Sequence, residues 1–179
     1  KGEGAMIAIL GMNLSEVESE IKQLESTQVC EIANDNSNEQ VVVSGNKDII
    51  DTLRTNLKLK KKRGIILPVS APFHCSLMNE AAETMKKKIQ NIDFKKPIPS
   101  IISNVTAQPE NKENSIKSLL VDQITSRVRW RESVNYMIDE KINEFIEIGP
   151  GRVLSGLIKK IDRTVNVKNF SYLTDITND

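Results

Sequence analysis

The first 69 residues carry six apolar segments whose periodicity switches between strand and helix, and their order constrains the chain more than any other feature. Residues 5–11 (Ala-Met-Ile-Ala-Ile-Leu-Gly) read as a buried strand. Ser15-Glu16-Val17-Glu18 reads as a capping box, in which a hydroxyl and a carboxylate each satisfy an orphan N–H. Val17, Ile21 and Leu24 then recur at helical spacing, which predicts a helix to about residue 26. Residues 29–33 read as a second strand, and the polar cluster Asn34-Asp35-Asn36-Ser37-Asn38-Glu39 as turn chemistry. Residues 40–44 form a third strand centred on Val41, Val42 and Val43. Gly45-Asn46 breaks it and is expected to cap a second helix with Ile49, Ile50, Leu53 and Leu57 on one face. Residues 64–69 read as a fourth strand. The order β-α-β-β-α-β is the ferredoxin-like split βαβ unit.

From residue 70 onward, helices and strands alternate. Met78, Ala81, Ala82, Met85, Ile89 and Ile92 predict a long helix, with Lys86-Lys87-Lys88 on its wet side; Pro97 and Pro99 stop it. Residues 101–105 read as a short strand. Residues 114–124 read as a helix with Ile116, Leu119, Leu120 and Ile124 inward, and Gln123 falls on that apolar face, where a polar group needs a partner. Trp130, Val134, Met137 and Ile138 mark a further helix. A strand (144–148), a Gly149-Pro150-Gly151 turn, a helix (152–161) and a strand (165–170) follow, and the tail 174–179 reads as frayed. This alternation implies parallel sheet. The expected fold class is α/β with an α+β insert. It consists of a small ferredoxin-like subdomain at 4–69 and, at 70–179, part of a larger α/β subdomain whose strand order is incomplete.

Composition narrows the function classes. The net charge is +1 and gives no argument for nucleic acid or membrane. No apolar run reaches transmembrane length. The two cysteines, Cys30 and Cys75, are distant in sequence, which fits reduced thiols of a cytoplasmic protein better than a disulfide scaffold. With one histidine in 179 residues, no His/Cys metal site is expected. The chain opens Lys1-Gly2-Glu3-Gly4-Ala5 without an initiator Met, which reads as a stretch of a longer protein.

The single histidine, His74, lies in Pro68-Val69-Ser70-Ala71-Pro72-Phe73-His74-Cys75-Ser76-Leu77-Met78, between a strand end and a helix start. α/β folds place chemistry at such seams. Pro68 and Pro72 stiffen the connection, as a general base requires. The plain alternative is a loop histidine partnered by a backbone group. Cys75 is a weaker candidate nucleophile, because adjacent side chains rarely face each other. There is no Gly-x-Ser-x-Gly elbow, P-loop or Gly-x-Gly-x-x-Gly run. The basic run Lys58, Lys60, Lys61, Lys62 and Arg63 reads as a solvated loop or as a landing site for an acidic partner.

The segment Val69–Met78 resembles the catalytic-histidine segment of malonyl-CoA:acyl carrier protein transacylases. Three further stretches resemble that family in order and spacing: Gln40-Val41-Val42-Val43-Ser44-Gly45, Gln123 seven residues before Trp130, and Glu147-Ile148-Gly149-Pro150-Gly151-Arg152-Val153-Leu154. The similarity spans nearly the whole chain but only the C-terminal part of the family's length. It implies a ferredoxin-like subdomain inserted in an α/β-hydrolase-like acyltransferase subdomain. It also implies ping-pong transfer of malonyl from malonyl-CoA to acyl carrier protein through an acyl-serine, in fatty-acid biosynthesis. His74 would be the general base, oriented by the backbone carbonyl of Gln123. Phe73 would form a wall against an α-methyl group, and Asn34 and Asn36 would line the cleft. Lys58, Lys60, Lys61, Lys62 and Arg63 would meet the carrier protein. No cofactor or metal is implied beyond the coenzyme A thioester as substrate, nor any nucleic acid or membrane partner, and the full-length enzyme is expected to be a monomer in the cytoplasm. The family's nucleophilic serine maps to nothing here, so this stretch alone is expected to be inert. Two alternatives stay open: a polyketide-synthase acyltransferase, and a non-catalytic module that binds acyl carrier protein.

Overall fold

A computed structural model gives the fold and describes residues 4–177; the opening Lys1-Gly2-Glu3 and the last two residues of the tail lie outside the described residues. The first elements are β1 (Gly4–Leu10), α1 (Leu14–Lys22), β2 (Cys30–Ser37), β3 (Gln40–Asn46), α2 (Lys47–Leu59) and β4 (Arg63–Ile66). The strands form one sheet in the order β2-β3-β1-β4, with every neighbouring pair antiparallel. This is the ferredoxin-like unit expected from the periodicity. Alternate residues of a strand face opposite sides, so Ile7, Ile9, Val41 and Val43 pack against Val17 of α1 and Ile50, Leu53 and Leu57 of α2. Each such buried aliphatic side chain contributes roughly 1.5–3 kcal/mol. Met6, Ala8, Ala33 and Val42 form a second cluster, with Leu67 packed on it.

Four local expectations are corrected. The capping box of α1 is Asn13 with Glu16, two residues earlier than Ser15 with Glu18: Asn13 Oδ1 accepts from Glu16 N at 3.0 Å, and Glu16 Oε2 accepts from Asn13 N at 2.7 Å. α1 also ends at Lys22. Asn46 precedes α2, but its side chain accepts from Val29 N at 2.8 Å instead of capping the helix. Most consequentially, Asn34–Ser37 continue β2, and only Asn38 and Glu39 turn. β2 is an edge strand with two register shifts against β3, between Ile32 and Asn34 and between Asp35 and Ser37. Such bulges accommodate residues that suit a regular ladder poorly.

After a 3-10 turn at Ser76–Met78 come α3 (Asn79–Ile89), β5 (Ile101–Ile102), β6 (Pro109–Glu110), α4 (Glu113–Asp122) and α5 (Trp130–Asp139). The expected stripe on α3 is narrower than its apolar pattern: Ala82 and Ile89 are buried, while Met85 and Ile92 are exposed. The strand expected at 101–105 shrinks to two residues paired with β6.

The chain divides into two compact units, one ending at Ser133 and the other beginning at Val134, within α5. The second unit adds β7 (Glu144–Ile148), α6 (Val153–Ile161), β8 (Asn166–Phe170) and α7 (Leu173–Thr177). β7 and β8 pair in parallel across α6, as alternation requires. Glu147 receives Leu154 N at 3.0 Å and Ser155 N at 2.8 Å, satisfying two orphan donors at the start of α6. These bonds hold its carboxyl below the usual range against the opposing effect of burial. Leu173–Thr177 is helical where a frayed tail was expected. Among the described residues, no helix is long and apolar enough to cross a membrane.

Candidate active site

The site begins where β4 ends. Leu67 N still donates to Met6 O at 2.9 Å, and the chain then crosses β1. A Cβ on Gly4 would lie 2.3 Å from Pro72 Cγ, so this close approach of loop to strand requires a bare backbone. Beyond Pro72, Cys75 is fully buried; its Sγ donates to Pro72 O at 3.1 Å and accepts from Ser44 Oγ at 3.5 Å. Burial pushes this thiol above its ordinary 9.0, outweighing the Ser44 hydrogen bond that lowers it. Cys30 is pushed up to about 11 by burial, with the charge of Glu31 and the neighbouring Cys75 adding to it. Neither environment favours a thiolate nucleophile.

Seated between these anchors, His74 adopts φ +62°, a left-handed conformation that is uncommon for a non-glycine residue. Two consecutive carbonyls hold it there. His74 N donates to Ile124 O at 3.2 Å, and Nδ1 lies 2.7 Å from Gln123 O. Gln123 is the C-cap of α4, which ends two residues before the expected 124, so its carbonyl is among those a helix end leaves without an internal partner. A carbonyl only accepts. Nδ1 therefore carries the proton, and Nε2 keeps its lone pair.

The structure thus brings His74 and Gln123 together, and Phe73 stands beside them, 40% exposed. Asn34 and Asn36 lie half-buried on β2; among the described residues, neither side chain hydrogen-bonds His74 or Gln123. The basic run sits at the end of α2. Lys62 N donates to Leu57 O and Lys61 N to Lys58 O, with Lys61 at φ +57°, which is a Schellman cap. Lys60 Nζ is taken up by Glu20, at 2.7 and 2.8 Å, and by Gln23 at 2.9 Å. Lys58, Lys61, Lys62 and Arg63 remain exposed around Leu59, itself 79% exposed. Among the described residues, no three His, Cys, Asp or Glu side chains gather as a metal ion would need.

Several residues around the pair gave no sequence signal. Asn104 Nδ2 donates to Gln123 Oε1 at 3.2 Å. Glu31 holds Ser76 by two bonds, from Ser76 Oγ at 2.6 Å and Ser76 N at 3.0 Å. Asp35 pairs with Arg131. All three contacts span tens of residues, and no local pattern encodes them.

The comparisons with known proteins agree with one another. The chain is 41% identical over 177 residues to a malonyl CoA-acyl carrier protein transacylase of Staphylococcus aureus, covering 98% of this chain and 58% of the relative. It is 42% identical over 165 residues to one of Bacillus subtilis, covering 90% of this chain and 52% of the relative. The chain therefore spans little more than half the length of these curated relatives. Among solved structures, it superposes on the malonyl CoA-acyl carrier protein transacylase of Coxiella burnetii with a TM-score of 0.94 and 36% identity, covering 99% of this chain and 56% of that one. A malonyl-transacylase in complex with a type II PKS acyl-carrier protein matches with a TM-score of 0.91 at 32% identity, covering 99% of this chain and 57% of that one. The family model described as the acyl transferase domain matches residues 1–174, and the chain belongs to that family.

Proposed function

We propose that this chain is part of a cytoplasmic enzyme that transfers malonyl from malonyl-CoA to acyl carrier protein through an acyl-serine intermediate in fatty-acid biosynthesis, with His74 as its general base. The observation that carries the reading is the 2.7 Å contact of His74 Nδ1 with the Gln123 carbonyl, which leaves Nε2 as the free base. The names of the similar proteins support the substrates.

In this reading, Nε2 takes the proton of a serine hydroxyl as its oxygen attacks the malonyl thioester carbonyl. As the tetrahedral adduct collapses, Nε2 gives that proton to the departing coenzyme A sulfur. The second half runs in reverse, with the phosphopantetheine thiol of the carrier as attacking group. None of this chain's residues is assigned the serine's role. Phe73 narrows the acyl pocket, and a wall of this kind discriminates by about 10–200-fold per methyl. Asn34 and Asn36 line the cleft, and Lys58, Lys61, Lys62 and Arg63 face the acidic carrier. The thioester is the substrate, and no cofactor takes part.

The test is acyl loading of the intact protein. Incubation with malonyl-CoA adds one malonyl group by mass, and His74→Ala slows that loading by about 10²–10⁴-fold. Loading at the normal rate by His74→Ala overturns the base assignment. Failure of the unaltered intact protein to load overturns the malonyl reading.

A further inference from the structure

We infer that β2 sets the geometry of the His74–Gln123 pair, with Glu31 fixing the histidine side and Asp35 the glutamine side, so that both carboxylates are positioning residues for the proton transfer. The inference rests on the reading of His74 as the base.

On the histidine side, Ser76 lies two residues beyond His74 and opens the turn into α3. Its N–H is an orphan donor of a helix start, and Glu31 takes both that N–H and the hydroxyl. The bonds matter because His74 itself sits at φ +62°. A side chain in that region persists only where its surroundings over-determine it. Ahead of His74 the loop is pressed on Gly4; behind it, Glu31 is the tether.

On the glutamine side, Asp35 has no exposed surface, and both its oxygens are taken by Arg131, from Nε at 3.0 Å and from Nη2 at 2.7 Å. The backbone beside it is docked as well. Asp35 N donates to Val128 O at 2.9 Å, and Val128 N to Ala33 O at 2.8 Å, a parallel bridge along the free edge of β2. The docked segment starts a few residues after Ile124, the acceptor of His74 N. It also reaches back to the glutamine: Arg129 N donates to Asn104 O at 2.9 Å, and Asn104 Nδ2 to Gln123 Oε1 at 3.2 Å. Asp35 is therefore connected to Gln123 through an unbroken series of hydrogen bonds and peptide links.

Glu31 and Asp35 stand four residues apart on one strand, at most about 13 Å at 3.3 Å per residue, with the bulge between Ile32 and Asn34 in between. Pairing with β3 on both sides of the bulge holds the run in place. Two loops joined by the hydrogen bonds of His74 to the Gln123 and Ile124 carbonyls are thus tied to one strand. Loss of either tie leaves the imidazole free to turn, and a misplacement on the order of 1 Å costs about 100-fold in rate.

The test reads the ring directly. The intact protein is labelled with 15N-histidine, and the His74 signals are those missing from His74→Gln. The expected neutral ring carries its proton on Nδ1. Glu31→Ala and Arg131→Met shift the population toward the Nε2-protonated form of a solvated imidazole and lower kcat for malonyl loading by about 10–100-fold with KM unchanged. Glu31→Gln keeps an acceptor for Ser76 and restores both readouts. Glu31 is half-exposed on an edge strand, so Glu31→Ala decides the matter even where Arg131→Met fails to fold. An unaltered protein protonated at Nε2 overturns the base reading, and the inference with it. An Nδ1-protonated ring that stays so in Glu31→Ala, at full kcat, overturns the inference alone.

Discussion

The carboxylate of Asp35 meets the guanidinium of Arg131 through two hydrogen bonds, 3.0 and 2.7 Å long, across 96 residues of sequence. Asp35 has no exposed surface, so removal of its partner strands a desolvated charge. Arg131→Ala is expected to destabilise the protein by roughly 3–5 kcal/mol. Urea unfolding measures this, and a loss below about 1 kcal/mol would place the carboxylate in effective contact with water.

A second carboxylate of this region contributes to stability on the acid side. Hydrogen bonding from Arg129 holds Glu132 below its ordinary 4.5; burial opposes the shift, and the charges of Arg129, Arg127 and Arg131 reinforce it. A depressed folded value means that the contribution is present above the unfolded value and is lost as pH falls through the folded one. Thermal melts from about pH 6 to about pH 3 should therefore fall less steeply in Glu132→Gln than in the unaltered protein. Parallel curves would show that Glu132 titrates alike in both states.

The orienting atom at His74 is a backbone oxygen, which a side-chain substitution leaves in place. Gln123→Ala keeps the 2.7 Å acceptor and the docking of Val128 on β2, and loses the bond from Asn104. Loading kinetics of the intact protein should then fall by less than about tenfold, far short of the about 10²–10⁴-fold expected for removing the base itself. A loss in Gln123→Ala as large as that in His74→Ala would assign the chemistry to the amide side chain.

The basic run separates into two roles. Lys60 is tied to Glu20 of α1 and to Gln23 at its C-cap, while the Lys62 side chain at the Schellman cap is exposed and has no partner among the described residues. Lys62→Glu is expected to weaken binding of acyl carrier protein and flatten its salt dependence, because a rim charge acts through screened long-range attraction. Lys60→Glu should lower thermal stability instead. Calorimetric titration at two salt concentrations distinguishes them, and equal effects on binding would make Lys60 part of the contact surface.

Legibility followed the range of the interactions involved. β1, β3 and α2 carry their own periodicity, and Ile7, Val43, Leu53 and Leu57 are buried as that periodicity required. β2 was cut short because Asn34-Asp35-Asn36 is turn-like by local chemistry. What makes it a strand is its pairing with Gln40–Val42 of β3, and Val128 and Arg131, distant in sequence, hold its other edge and its buried carboxylate. The α1 cap was misassigned by a simple degeneracy: Asn13/Glu16 and Ser15/Glu18 share the same spacing, and only geometry chooses between them. His74 stands out as the single histidine, at a strand–helix seam, and Gln123 as a polar residue on an apolar face; their pairing is what the resemblance of motifs implies. The left-handed backbone of His74 carries no signature, since glycine is the residue that normally marks it.

The atom that receives His74 Nδ1 has no ionisable proton. Where a carboxylate fills that place, two titrations overlap, and acid disables the site by neutralising either group. Here the acceptor belongs to the main chain, so it keeps its lone pairs at every pH and under every side-chain substitution. The α4 terminus supplies roughly half an elementary charge in place of a whole one.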